Sequence, residues 1–167
     1  MSNNWEIIIC LALTLGFSIG AVLYVLYKKY ITQVETSKEI DKFNEEEWHD
    51  VDIEHYGRKV DYTEKEFIFK ATENGKIIGT ISGKHKAGVL YIDYLIVAKS
   101  KRKKGIGKML MNAAEEFGKT FNAHKIHLMT GKDWQAAKFY EDLGYKKVAE
   151  IPMHHFKKDF VIYEKFL

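Results

Sequence analysis

The chain has 167 residues, of which 46% are apolar and 29% charged, and its formal net charge is +3. These values are those of an ordinary globular domain with room for an appendage, and the charge is too small to indicate nucleic-acid binding by itself. The only cysteine, Cys10, excludes a disulfide framework within the chain and fits a reducing compartment.

The N-terminal segment is a candidate membrane span. Ile7–Tyr27 is 21 residues long and contains no charged residue and no proline. As a helix it measures roughly 31 Å, enough to cross a hydrocarbon core of about 30 Å. Lys28 and Lys29 follow directly, whereas no Lys or Arg precedes the segment. The positive-inside rule therefore predicts a single-pass membrane protein with an external N-terminus and with everything after Lys28 in the cytosol.

Other interpretations of this segment fit less well. A cleaved signal peptide has a basic start, a shorter apolar core and small residues at its cleavage site. A buried core helix has a polar face, and this stretch is apolar all round. Gly16 and Gly20 have the Gly-x-x-x-Gly spacing of helix dimers, which leaves an oligomer open.

The rest of the chain predicts one α/β domain. We divide the sequence into a transmembrane anchor (residues 1–30), a linker that leads into one or two short helices (31–60) and the main domain (61–167). The predicted strands are Glu66–Ala71, Lys76–Gly83, Val89–Ala98, Lys125–Thr130, Tyr145–Ile151 and Phe160–Phe166, and the predicted helices are Gly105–Gly118 and Trp134–Leu143. This order favours a mixed, partly antiparallel sheet flanked by helices.

Single residues set the expected turns and boundaries. Asn74 and Gly75 suit a tight hairpin between the first two strands. The third strand is apolar on both faces apart from Asp93, so it should lie inside the sheet. Asp133 is expected to cap the second helix, and Gly144 is expected to end it.

The segment between the third strand and the first helix carries the clearest chemical signal. It reads Val97-Ala98-Lys99-Ser100-Lys101-Arg102-Lys103-Lys104-Gly105-Ile106-Gly107-Lys108: a strand end, a basic turn and a helix start. Free N–H groups at a helix start bind phosphates, and Gly105 and Gly107 let a diphosphate approach the backbone. A P-loop needs Gly-Lys-Ser/Thr, and a dinucleotide fingerprint needs a third glycine where Leu110 stands, so neither motif is present.

These residues resemble the GNAT acetyltransferases. That family's phosphate loop, Arg/Gln-x-x-Gly-x-Gly/Ala, is matched by Arg102, Gly105 and Gly107, and the apolar strand end before it by Leu95-Ile96-Val97. The block Phe139–Tyr145 is similar to the family's aromatic pair followed by Leu-Gly-Tyr/Phe. The resemblance implies a GNAT-type sheet and transfer of an acetyl group from acetyl-CoA to an amine.

The resemblance, which covers roughly Phe67 to the C-terminus, also implies residue roles. Acetyl-CoA would be the co-substrate, without a metal, and the acceptor an amine of a small molecule or a protein. The residues implied to bind the cofactor through pantetheine pairing or the pyrophosphate cradle are Leu95, Ile96, Val97, Arg102, Lys103, Lys104, Gly105, Ile106, Gly107 and Lys108. Tyr140 corresponds to the general acid that protonates the departing thiolate, and Asp93 to an acid that some relatives use as base.

Parts of the mechanism stay open at this point. Burial of Asp93 would raise its pKa and suit it as the base, and His154 and His155 are alternatives. Cys10 lies in the predicted span, which argues against an acetyl-cysteine intermediate and for direct transfer in a ternary complex. Peptide-acetylating relatives often carry Glu where Leu128 stands, so the resemblance does not specify a protein N-terminus as acceptor.

Two other functions compete with this interpretation. A membrane-anchored CoA-binding module without turnover would keep the phosphate loop. The basic run Lys99–Lys104 also suits nucleic acid or anionic lipid. Because two glycines and a helix follow this run, we expect it to bind the cofactor and expect no nucleic-acid partner.

Overall fold

The computed structural model describes residue 31 and residues 33–167. The predicted membrane span, Ile7–Tyr27, and its glycine pair lie outside these residues. Within the described residues, no helix has both the length and the apolar character needed to cross a membrane. The chain divides into two compact units, one that ends at Arg58 and one that runs from Lys59 to Leu167.

The described part of the first unit contains the helix α1 (Lys38–Tyr56). At its start, the Ser37 hydroxyl accepts a hydrogen bond from the N–H of Ile40 at 3.4 Å. At its end, Gly57 adopts the left-handed conformation and its N–H bonds to the Ile53 carbonyl. The sequence predicts one or two short helices here, and the structure has a single helix of 19 residues because nothing between these two caps interrupts it.

The second unit is built on a six-stranded sheet in the order β1-β2-β3-β4-β6-β5. Its strands are β1 (Lys65–Glu73), β2 (Lys76–Lys86), β3 (Val89–Val97), β4 (Lys125–Gly131), β5 (Lys146–Ile151) and β6 (Phe160–Phe166). β3 and β4 are parallel, and the other neighbouring pairs are antiparallel. The mixed sheet expected from the sequence is confirmed, and the apolar third strand lies inside it.

Two helices, α2 (Ile106–Thr120) and α3 (Gln135–Asp142), complete the core of this unit. Gly118 allows α2 to approach β3 closely, since a Cβ there would lie 3.1 Å from Leu90 Cδ2. The buried core cluster comprises Phe67, Ile81, Leu90, Ile92, Leu110, Met111, Ala114, Ala123, Ile126, Leu128, Tyr140, Tyr145, Val161 and Tyr163. Burial of each large apolar side chain contributes roughly 1.5–3 kcal/mol to folding, so both helices are held firmly against the sheet.

The turn residues behave as predicted at two boundaries and not at a third. Asn74 and Gly75 have φ values of 49° and 75° and close the β1–β2 hairpin, and Gly144 (φ 84°) ends α3. The prediction that Asp133 caps α3 is wrong, because Trp134 is the capping position. The Trp134 N–H bonds to the Gly131 carbonyl at 3.1 Å, so Asp133 lies inside a turn and the helix begins later.

The pairing of β3 with β4 stops halfway along both strands. It runs from Val89 opposite Lys125 to Ile92 opposite Leu128, although β3 and β4 both continue for several more residues. At this point Asp93 forms a bulge, because Tyr94 pairs with Ser82 on β2 while Ile92 pairs with Gly83. A bulge bends its strand. The two parallel strands therefore separate, and the backbone edge of β3 that faces β4 is unpaired with β4 beyond Ile92.

Candidate active site

A loop between β3 and α2 forms one wall of the candidate site. After Val97 the chain makes a short 3₁₀ turn and then enters α2 through Lys103 and Gly105, whose φ values are 61° and 80°. A left-handed residue followed by a right-handed helical residue directs successive N–H groups to the same side, which is the geometry of an anion-binding nest. Gly105 and Ile106 have this alternation, so the loop presents main-chain donors at the end of β3.

Among the residues that the structure describes, no side chain satisfies the first N–H groups of α2. Gly105 is the capping position, no side chain bonds to the first turn, and the first turn contains no acidic residue. The N–H groups of Ile106, Gly107 and Lys108 have no acceptor within the helix because of its geometry. A Cβ placed on Gly105 would meet nothing within 4 Å, so there is space beside these donors. The arrangement can bind a diphosphate.

Two of the basic residues in the loop hold it in place. Lys101 forms an ion pair with Glu73 at the end of β1, and this contact lowers the pKa of the Glu73 carboxyl. The Arg102 Nε donates a hydrogen bond to the Val97 carbonyl at 3.0 Å. Arg102 is predicted to bind the cofactor, and this bond holds its guanidinium at the end of β3. Between Lys99 and Lys108, four exposed lysines form no ion pair within the described residues: Lys99, Lys103, Lys104 and Lys108.

The separated part of β3 forms the second wall. Leu95 and Val97 are half-buried and pack against the core, whereas Ile96 is 59% exposed on the opposite face. Their side chains therefore alternate as in a regular strand, although the strand has no β4 partner here. An extended ligand can pair with such a free edge through main-chain hydrogen bonds. The structure places the predicted pantetheine-binding residues on this edge.

α3 brings Tyr140 next to the loop. A Cβ on Gly107 would lie 3.1 Å from the Phe139 ring and 3.8 Å from Val97, so the helix start lies between the neighbour of Tyr140 and the strand end. Tyr140 is 7% exposed, and burial raises its pKa to about 12. Its hydroxyl has no hydrogen-bond partner within the described residues. Among those residues, the only side-chain polar atom that is both unpaired and fully buried is His85 Nε2, so the Tyr140 hydroxyl must retain some solvent contact. Tyr140 can therefore donate a proton to a ligand.

The predicted bases are placed less favourably. Asp93 is exposed at the bulge, so the burial that the sequence suggests for it is not present. The bulge is the physical reason, because it turns the carboxylate out of the regular alternation of β3. His154 and His155 stack on each other with ring centres 4.3 Å apart and both contact Phe160, in the connection between β5 and β6. These histidines take part in an aromatic cluster.

A polar cluster near the strand separation is not predicted from the sequence. His127 on β4 lies opposite Tyr91 on β3, with ring centres 5.4 Å apart, and its Nδ1 is 3.2 Å from Glu164 Oε1 on β6. The signal for it is the position of His127 between Ile126 and Leu128, which points the imidazole away from the apolar core. Its partner Glu164 lies 37 residues away in the sequence, too far for any local pattern to reveal.

Comparisons with known proteins agree on one family. A sequence model of the acetyltransferase (GNAT) family matches residues 28–145. An acetyltransferase from Bacillus cereus ATCC 14579 is 24% identical with a TM-score of 0.63, over 83% of this chain and 99% of that one. A protein assigned as a streptothricin acetyltransferase from Bacillus anthracis, solved with acetyl coenzyme A, is 26% identical with a TM-score of 0.57, over 61% and 62%.

A third similar structure differs in the acceptor that its name specifies. The ribosomal-protein-S18-alanine N-acetyltransferase from Escherichia coli is 18% identical with a TM-score of 0.53, over 60% of this chain and 68% of that one. At this identity the likeness shows the fold alone. No curated protein sequence matches the chain significantly.

Proposed function

The chain belongs to the acetyltransferase (GNAT) family, and on this premise we propose that it transfers an acetyl group from acetyl-CoA to an amine by direct attack in a ternary complex. The observation that carries this proposal is the separation of β3 from β4 beyond Ile92 and Leu128, beside the uncapped start of α2. The separation supplies a free strand edge for pantetheine, and the helix start supplies N–H donors for the diphosphate.

The cofactor-binding residues divide into two groups in this proposal. Main-chain groups of Leu95, Ile96 and Val97 pair with the pantetheine and the acetyl carbonyl, and main-chain groups from Lys103 to Lys108 bind the pyrophosphate. The side chains of Lys103, Lys104 and Lys108 attract the polyanion. Arg102 stays among the proposed cofactor-binding residues, and its contact with the Val97 carbonyl, like that of Lys101 with Glu73, also fixes the loop. The described residues include no group of three or more His, Cys, Asp or Glu that could bind a metal.

The chemical step transfers two protons and one acyl group. The amine nitrogen attacks the thioester carbonyl carbon, a C–N bond forms, the C–S bond breaks, and the CoA sulfur receives a proton from the Tyr140 hydroxyl. A pKa of about 12 keeps this phenol protonated at neutral pH, so it is available as a donor. The proton that leaves the amine passes to a base, for which Asp93 is the candidate that the resemblance suggests. Tyr140 regains its proton from solvent after product release.

The N-terminal segment has a place in the proposal as well. We expect Ile7–Tyr27 to anchor the enzyme as a single-pass membrane protein, with the catalytic domain in the cytosol. The full chain should stay with the membrane fraction after alkaline extraction, and the C-terminus should resist protease added outside intact cells. Release of the full chain by alkali would contradict the anchor without affecting the proposed transfer reaction.

Tyr140 provides the direct test of the activity. The full chain in detergent is mixed with acetyl-CoA and a panel of spermidine, kanamycin, glucosamine and an alanine-starting peptide, and free CoA thiol is measured. Tyr140→Phe should lower kcat by about 10²–10⁴-fold, the range of general acid catalysis, without changing acetyl-CoA affinity measured by calorimetry. Tyr145→Phe is the matched control, because it removes a neighbouring hydroxyl that bonds to Glu115 instead.

Other outcomes separate the competing functions. Tight CoA binding without thiol release for any amine, unchanged in Tyr140→Phe, supports a CoA-binding module without turnover. DNA affinity that falls steeply with salt and survives saturating CoA supports a nucleic-acid binder. A folded chain that shows no heat of acetyl-CoA binding contradicts the proposal altogether.

A further inference from the structure

Three side chains form a polar row next to the end of the β3–β4 pairing. Tyr91 lies opposite His127, and His127 lies opposite Glu164, on three adjacent strands. Cross-strand neighbours project from the same face of a sheet, so the three side chains share one face. The last β3–β4 pair, Ile92 with Leu128, is one residue further along both strands. The row therefore borders the opening in which the thioester is proposed to lie.

The face that carries this row is the one opposite α2. Leu90 and Ile126 alternate with Tyr91 and His127, and both belong to the buried core, where a Cβ on Gly118 of α2 would contact Leu90. The diphosphate site at the start of α2 places the body of the cofactor on the α2 side. Since pantetheine fills the gap between the strands, an amine reaches the carbonyl from the other face, where His127 lies.

The hydrogen bond to Glu164 fixes which ring nitrogen of His127 is free. The contacts of Glu164 with Lys125 and His127 lower the pKa of this carboxyl, so it is a carboxylate at neutral pH and only accepts hydrogen bonds. Nδ1 of His127 must then carry a hydrogen, so in the neutral imidazole the lone pair is on Nε2. Both side chains are half-buried, with 30% of His127 and 19% of Glu164 exposed, so Glu164 orients the imidazole while Nε2 remains accessible.

We propose that His127 accepts the proton of the attacking amine at Nε2, with Glu164 as the residue that positions the imidazole, an inference that rests on the proposed acetyl transfer. The amine N–H bond breaks as the C–N bond to the acetyl carbon forms, and the proton moves to Nε2 while the CoA sulfur takes a proton from Tyr140. Solvent removes the proton from His127 before the next cycle. An imidazole held by a carboxylate is a common form of general base.

Several charged or titratable groups surround this imidazole and enter any pH profile. Glu164 contacts His127 directly, and Lys125 contacts Glu164. Tyr91 lies opposite His127, and Asp93 is two residues beyond Tyr91 on the same strand. On the outer strands, Lys84 lies opposite Tyr91 and Lys146 lies opposite Glu164. Asp93 is the competing base. An experiment must therefore separate His127 from Asp93 and separate proton transfer from structural damage.

The test compares two nucleophiles that differ in their need for a base. Alkylamines are ammonium ions at neutral pH, whereas hydroxylamine is mostly unprotonated there. In the full chain, His127→Gln should lower kcat/KM for the fastest amine of the panel by about 10²–10³-fold and remove the acidic limb of its pH profile. Transfer to hydroxylamine should change less than about threefold, because its weakly basic nitrogen attacks unprotonated and can release its N–H proton to water instead of to His127.

Matched variants complete the experiment. Glu164→Gln should cause a smaller loss selective for the amine and should shift the ¹⁵N signals of His127 away from the Nδ1–H tautomer. Asp93→Asn should leave the acidic limb in place. His124→Gln, the same substitution just before β4 and outside the row, should match the unmodified protein.

The contrary results are equally specific. Equal losses with both nucleophiles, or an acidic limb that disappears in Asp93→Asn and persists in His127→Gln, would overturn the assignment of His127 while leaving the transfer reaction intact. If the unmodified chain releases no CoA with any nucleophile, including hydroxylamine, the proposed function fails and the role of His127 fails with it.

Discussion

The starts of α1 and α2 are the same structural element with opposite chemistry. At α1, Ser37 accepts the hydrogen bond of a first-turn N–H, and Glu39 and Asp41 place two carboxylates in that turn. At α2, Gly105 offers no side chain, and the first turn has no acidic residue. Both helices follow the same geometric rule that their first N–H groups lack internal acceptors. Only α1 satisfies that requirement from its own sequence.

The difference shows how a helix start becomes a ligand site. Carboxylates in the first turn interact favourably with the helix dipole and occupy the place of an anion. α2 omits that stabilisation and has Lys103 and Lys104 just before its start, so the same dipole is left for a ligand with negative charge. The second position of the helix makes the contrast plain, because it is Glu39 in α1 and Gly107 in α2.

Exchanging these two residues should have the largest effect. Gly107→Glu puts a carboxylate among the N–H groups proposed to bind the diphosphate, and its Cβ would press on Phe139 at 3.1 Å. We expect acetyl-CoA affinity to fall at least about 100-fold, which corresponds to roughly 2.7 kcal/mol, as measured by calorimetry on the full chain.

The reciprocal variant is the control for this exchange. Glu39→Gly should lower the stability of α1 by up to about 1 kcal/mol through helix propensity and leave acetyl-CoA affinity unchanged. Circular dichroism reports whether each variant is folded. An affinity that drops similarly in both variants, or in neither, would show that the start of α2 is not the cofactor site.

Local patterns of the sequence account for most of the fold. Strands and helices of the second unit follow from the alternation and periodicity of apolar residues, and Asn74-Gly75 from the demands of a two-residue hairpin. The capping residue of α3, in contrast, cannot be predicted from a local sequence pattern. Trp134 packs over Gly131, where a Cβ would lie 2.5 Å from the indole, and this contact moves the helix start past Asp133.

The candidate site also has one part that the local sequence predicts and another that depends on strand pairing. The phosphate loop occupies one continuous stretch from Val97 to Lys108, so its glycines and lysines can be read in order. The exposure of Asp93 depends on a bulge that involves the pairing with β2, and the His127–Glu164 contact joins two distant strands. Pairing between strands decides both, and spacing along the chain does not encode it.

A smaller effect should come from the lysines that accompany the uncapped start. Lys103 and Lys104 form no ion pair within the described part of the chain, so their charge is available to a diphosphate. Each exposed pair of a lysine and a phosphate should contribute about 0.2–1 kcal/mol to binding and should be screened by salt. The double variant Lys103→Gln, Lys104→Gln should lose about threefold to tenfold in acetyl-CoA affinity at low salt and show a weaker salt dependence.

Lys38→Gln with Lys42→Gln removes the same charge at α1 and should change neither quantity. If both pairs of substitutions weaken binding equally, the lysines act through the net charge of the protein, and the contrast between the two helix starts rests on their main-chain donors alone.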